Sequence, residues 1–155
     1  MQIKDIMVSE VIAVAGDMPI VEVANLLVRH GIHGVPVVDE EGKVLGIITE
    51  TDFFLKNSIA LHLPTYVDMV EHEIEKKADM LDNIPDMKAL LEATARDIMT
   101  KNCVALPEVA DVRDLFALVK MHHYKTFPVT DYRGILVGIV TLIDAIASLD
   151  RSVEM

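Results

Sequence analysis

The chain of 155 residues contains one cysteine, no tryptophan and only 5% aromatic residues. A single thiol excludes an internal disulfide framework and any cysteine-based zinc site. Basic residues are scarce, with 14 Lys and Arg against 25 Asp and Glu, a net charge of −11. Such a chain is poorly suited to a phosphodiester backbone or an anionic membrane surface, because both are held mainly by cationic contacts. No apolar run approaches the roughly 18 residues a membrane-spanning helix needs. Residues 1–5 reach charge at once, and no apolar stretch with a small-residue cleavage site follows. No secretory leader is therefore expected, and the expected compartment is cytoplasmic. Gly-x-Ser-x-Gly, Walker and Gly-x-Gly-x-x-Gly motifs are all missing. Without a nucleophile elbow or phosphate loop, the chain is expected not to be an enzyme. What it does have is 52% hydrophobic and 25% charged residues. That composition belongs to a folded globular chain, long enough for one compact domain or two small halves sharing a core.

The strongest positive signal is an internal repeat. Residues 4–55 align with residues 96–147 at a constant offset of 92, without gaps, and 14 of the 52 pairs are identical. Among these are Asp5/Asp97, Ile6/Ile98, Met7/Met99, Ala13/Ala105, Pro36/Pro128, Val37/Val129 and Asp39/Asp131. Gly42/Gly134, Gly46/Gly138, Ile47/Ile139, Thr49/Thr141 and Asp52/Asp144 follow. Other pairs keep their apolar character, as in Ile20/Val112, Val23/Leu115 and Leu27/Val119. The expected organisation is repeat 1 over residues 1–57, a helical insert over 58–95 and repeat 2 over 96–155.

Each copy reads as β-α-β-β-α. Residues 11–14 form a short apolar run, expected as a strand. Asp17 supplies a plausible N-cap and Pro19 an early-turn proline. Ile20, Val23, Ala24 and Leu27 then fall at i, i+3, i+4 and i+7, an amphipathic stripe. His30-Gly31 ends the helix. Residues 35–38 and 44–49 are strand candidates around a turn at residues 39–42, and a helix starts near Thr51-Asp52. In the second copy the stripe is Val112, Leu115, Phe116 and Val119. The intervening segment differs: Val67, Val70, Ile74, Ala78 and Leu81 form a helical seam, Pro85 interrupts it, and Met87, Leu90 and Leu91 suggest another short helix. Residues 56–95 carry 4 Lys against 8 acidic residues. A seam of this kind needs an apolar partner, either the body of the chain or a second copy of it.

Chemistry concentrates where the second long strand of each copy ends. Gly46-Ile47-Ile48-Thr49-Glu50-Thr51-Asp52 and Gly138-Ile139-Val140-Thr141-Leu142-Ile143-Asp144 each place a hydroxyl and a carboxylate three residues apart, at a strand-to-helix turn. Free backbone N–H groups there favour a phosphorylated ligand. A carboxylate can accept both hydrogen bonds of a vicinal diol, as a ribose presents. The plainer alternative is that Thr and Asp only cap the helix.

Asp-Ile-Met at the start of each copy, Pro-Val-x-Asp in the middle and Gly-Ile-x-Thr-x-x-Asp at the end resemble the cystathionine-β-synthase (CBS) domain. The two copies together resemble a tandem CBS pair, or Bateman module, over about two thirds of the chain. The resemblance implies an α/β (α+β) fold with two β-α-β-β-α repeats in pseudo-two-fold arrangement and two clefts between them. It implies adenosyl ligands, namely AMP, ADP, ATP or S-adenosylmethionine, with no cofactor required. Carried over, one cleft takes Ile47, Thr49, Thr51 and Asp52 with Thr100, Ala105, Tyr124 and Lys125. The other takes Ile139, Thr141, Ile143 and Asp144 with Val8, Ala13, Ile32 and His33. In this scheme the Asp holds the ribose diol, the Thr supports the ribose or α-phosphate, and the small and apolar residues admit and cover the base. Lys125, Thr51 and Thr100 rank the Asp52 cleft first. Similar nucleotide-binding chains often have an Arg near positions 34 and 126, where this chain has Gly34 and Thr126. That departure points to a ligand of low negative charge, such as AMP, or to cationic S-adenosylmethionine.

Weaker signals have plainer explanations. His30 and His33, with His122 and His123, could be metal ligands, but helix-end and surface roles are favoured and no metal is expected. Cys103, aligned with Val11, is expected to be a buried small hydrophobe in an apolar strand. The nine Met residues are scattered as core filler. The expected function is a regulatory module sensing an adenosyl-containing small molecule, acting as a homodimer with an effector protein in trans as its candidate reader, and with no nucleic acid or membrane partner. The alternative is a non-catalytic interaction or dimerisation module with empty or degenerate clefts.

Overall fold

The computed structural model describes residues 1–53, 92–122 and 125–153. The expected insert helices, with their seam from Val67 to Leu81, lie outside the described residues, as do His123 and Tyr124. The first copy runs β1 (Val14–Ala15), α1 (Ile20–His30), β2 (Gly34–Val38), β3 (Val44–Thr49) and a 3-10 turn (Glu50–Phe53). The second is led by the short helix α2 (Ala95–Ile98) and β4 (Thr100–Lys101). It continues with β5 (Leu106–Pro107), α3 (Val112–Met121), β6 (Thr126–Thr130), β7 (Leu136–Thr141) and α4 (Leu142–Val153). The β-α-β-β-α order thus stands in the second copy, and the first follows it as far as the 3-10 turn at Glu50–Phe53.

The helical stripes bury as their spacing dictates. Ile20, Val23, Ala24 and Leu27 are at most 1% exposed, in a core with Val14, Val35, Val37, Ile48 and Phe53. Leu115 and Val112 bury with Leu106, Phe127, Val129, Val140 and Ala145, while Phe116 and Val119 pack half-buried against that group. Helix α1 ends because Gly31 adopts a left-handed conformation, φ 59°, that a side chain would disfavour. Three local expectations need correction. The strand expected over residues 11–14 shrinks to Val14–Ala15, because residues 11–13 have no ladder partner. Asp17 does not cap α1; Pro19 occupies that position without a side-chain bond. Cys103 lies half-buried in the coil between β4 and β5, and desolvation pushes its thiol up to about 11.

Two sheets result, with strand orders β1-β2-β3-β4 and β5-β6-β7. In each the central strand pairs in parallel with the short first strand and antiparallel with its hairpin partner. The lead-in of each copy does not stay with its own copy. Ile3 donates to Ala110 O and Lys4 to Glu108 O, and Ile3 is fully buried in the second core. In the same way Ala95 donates to Met18 O and Arg96 to Gly16 O, and Ala95 buries in the first core. Strand β4 completes the first sheet by pairing Thr100 with Ile47, and Val8 bridges Ile139 at the matching place in the second. The residues at the start of each copy are thus exchanged across the pseudo-two-fold axis.

Helix α3 begins with a reciprocal capping box between Asp111 and Asp114. The Arg113 guanidinium, bonded to the Asp111 carboxylate at 2.9 and 3.1 Å, and the Arg113 amide hold Asp111 down to about 2. Because the folded-state value lies below the ordinary 3.8, the stabilisation from Asp111 is complete above that value. It is lost as pH falls through about 2. Asp111→Asn should therefore flatten the melting-temperature profile between those two pH values. An unchanged acid slope would show that the cap does not contribute to acid stability.

Candidate functional site

The ends of β3 and β7 both line one crevice. A cavity of about 600 Å³ opens there, within the range that suits a small organic ligand. One wall is Ile139, Thr141, Leu142, Ile143 and Asp144, where β7 turns into α4. Val8, bridged to Ile139, continues this wall, and Glu10, Val11 and Ile12 from the first lead-in line the cavity with Gly31, Ile32, His33 and Gly34 from the α1–β2 connection. Thr49, Glu50, Thr51, Lys125 and Thr126 complete the described lining. Most of the lining surface is apolar, as a purine or similar flat ring requires.

The two strand-end carboxylates are held differently. Asp144 Oδ2 accepts from the amide and the hydroxyl of Thr141, both at 2.7 Å, and the Asp144 amide donates back to Thr141 Oγ1 at 3.3 Å. This is a helix cap, and it occupies only one carboxylate oxygen. Asp144 Oδ1 accepts no hydrogen bond among the described residues. In the first copy Asp52 Oδ2 accepts from the Thr49 amide at 2.8 Å, and Asp52 Oδ1 accepts from the Thr100 hydroxyl at 3.1 Å. The Thr49 hydroxyl is engaged by Thr51 Oγ1 at 2.8 Å. Ile47 is fully buried under the Thr100 ladder, whereas its counterpart Ile139 is half-buried and lines the cavity.

The cavity gathers some of the expected site residues and not others. Val8, Ile32, His33, Ile139, Thr141, Ile143 and Asp144 line the cavity together. Ala13 is half-buried and is not part of its lining. Thr49, Thr51 and Lys125, assigned by the sequence to the Asp52 cleft, line this cavity. Ile47, Asp52, Thr100 and Ala105 do not line it, and Tyr124 lies outside the described residues. The Thr100 hydroxyl, which ranked the Asp52 cleft first in the sequence, bonds to the Asp52 carboxylate. Sequence reasoning missed Glu10 and Glu50. Glu50 sits inside the Gly-Ile-x-Thr-x-x-Asp stretch at a variable position, and its Oε1 lies 2.7 Å from His33 Nδ1. Among the described residues, no group of His, Cys, Asp and Glu could hold a metal ion, and no helix is long and apolar enough to cross a membrane.

Comparison with known proteins places this architecture. The CBS domain profile matches residues 3–56 and again residues 95–151. An uncharacterized protein of Methanocaldococcus jannaschii is 32% identical over 154 residues, covering 96% of this chain and 91% of its own. The CBS-pair protein CBSX2 from Arabidopsis thaliana superposes with a TM-score of 0.75 at 17% identity, covering 99% of this chain and 97% of its own, a likeness of fold alone. A CBS domain pair solved in complex with 5′-methylthioadenosine and S-adenosyl-L-methionine superposes with a TM-score of 0.66 at 27% identity, over 97% of this chain and 99% of its own.

Proposed function

Since this chain belongs to the CBS domain family, as a tandem pair, we propose that it is a regulatory module that binds an adenosyl compound in the Asp144 cavity. The observation that carries this reading is the Asp144 carboxylate at a largely apolar cavity, with one oxygen fixed by Thr141 and the other unpartnered among the described residues. That oxygen can accept from a ribose diol, Ile139 and Ile32 can sandwich a base, and Lys125 can meet one phosphate. The complex of a 27% identical CBS pair with 5′-methylthioadenosine and S-adenosyl-L-methionine supports the ligand class. A ligand touching both copies favours the arrangement of the halves that it fits, and an effector in trans reads that population shift. The module itself catalyses nothing in this reading. Calorimetric titration with AMP, ADP, ATP and S-adenosylmethionine tests it. Saturable heat with at least one is expected, and none with any of them at high protein concentration refutes it.

A homodimer is part of the proposal. Ile143, Ile146 and Leu149 recur every third residue on α4 and are 71%, 50% and 54% exposed. An apolar row of this kind supports pairing through the outer helices. Sedimentation should give twice the chain mass, and Ile146→Glu with Leu149→Glu should return it to one. A wild-type monomer at high concentration would rule out the dimer without touching the ligand reading.

A further inference from the structure

We infer that this cavity selects its ligand by charge, accepting neutral or cationic adenosyl compounds and refusing polyphosphates. The inference rests on the adenosyl reading above and adds the chemistry of the 5′ substituent. Among the described lining residues, the carboxylates Glu10, Glu50 and Asp144 face a single ammonium, that of Lys125. Glu50 does have a partner, His33 Nδ1 at 2.7 Å, but a neutral imidazole donating that bond leaves the glutamate charge in place. The usual remedy for a phosphate at such a cleft is a fork of guanidinium N–H groups, and no arginine lines the cavity among the described residues. Lys125 can balance one phosphate. Further phosphates would share the cavity with Glu10 and Glu50, and like charges at such short range repel with little screening. A methylthio or sulfonium group meets no such penalty, and a sulfonium is drawn to the same carboxylates.

The test is titration of the full chain at pH 8 with 5′-methylthioadenosine, S-adenosylmethionine, AMP and ATP. The first two should bind about tenfold or more tightly than ATP, with AMP between them. Glu10→Gln together with Glu50→Gln should tighten ATP by about tenfold and change 5′-methylthioadenosine by less than about threefold. Glu10 is exposed, so Glu10→Gln alone provides a variant with no packing to lose, and it should move ATP in the same direction. Raising the salt concentration should narrow the gap between ATP and 5′-methylthioadenosine. Equal affinity for ATP and 5′-methylthioadenosine, or a gap indifferent to both substitutions, overturns charge selection and leaves the adenosyl reading intact. Absence of binding by all four overturns both.

Discussion

Replacing Asp144 by Asn should weaken binding of 5′-methylthioadenosine or S-adenosylmethionine by about tenfold to a hundredfold, the loss of hydrogen bonds to a charged acceptor. The asparagine can still accept from Thr141 through its one carbonyl oxygen, so the start of α4 keeps a cap and the variant should fold. What it loses is the second, unpartnered anionic oxygen. Asp52→Asn is the matched control. Its carboxylate is already engaged by Thr49 and Thr100, so its affinity should change by less than about threefold, while its melting temperature falls as an inter-copy bond is lost. Parallel melts and titrations separate the two roles. If Asp52→Asn abolishes affinity and Asp144→Asn does not, the ligand belongs to the other side of the pseudo-two-fold axis.

Gly46→Ala should destabilise the chain by about 2–4 kcal/mol, near the upper end for overpacking a filled interior. A Cβ there would stand 2.6 Å from the Thr100 carbonyl oxygen and 2.8 Å from Met99 Sδ. The sulfur can move, but the carbonyl belongs to the β3–β4 ladder and cannot without breaking it. A Cβ on the equivalent Gly138 would stand 2.5 Å from Met7 Sδ and 3.1 Å from the Val8 carbonyl oxygen. That pair is less severe, because the nearest atom ends a flexible side chain. Gly138→Ala should therefore cost less than Gly46→Ala in denaturant unfolding. It should also disturb ligand binding more, since Val8 and Ile139 line the cavity. Equal stability of both variants with wild type would mean that the lead-in segments are not seated as described.

The parts of the fold that depend on local pattern could be read directly. The i, i+3, i+4, i+7 stripe of α1 predicts its buried face, and Gly31 its end. The strands around Pro36 and Pro128 follow from β-branched runs bounded by turns. Residues 11–13 misled because apolar character does not distinguish a ladder from a cavity wall: Val11 and Ile12 line the cavity without pairing. The exchange of lead-ins was not legible either. Ile3 and Ala95 sit at the same place in the repeat, and nothing local to a sequence states which copy's core a residue enters. The site shows the same division. The two Gly-Ile-x-Thr-x-x-Asp motifs are visible as a pair, but which carboxylate keeps an oxygen open depends on Thr100 against Val8, a difference that acts only across the molecule. Glu10 and Glu50 carry no motif, and only their position around the cavity gives them meaning.

The crossed lead-ins also make the beginning of the chain a lever on its far half. Ile3 and Lys4 are anchored to Ala110 and Glu108, and Val8 exchanges two 2.9 Å bonds with Ile139 a few residues before Asp144. Any tether pulling just upstream of Ile3 would tug on the crevice wall rather than on the neighbouring sheet. A separately produced second half would lack the plug that Ile3 supplies and should gain solubility when mixed with the first.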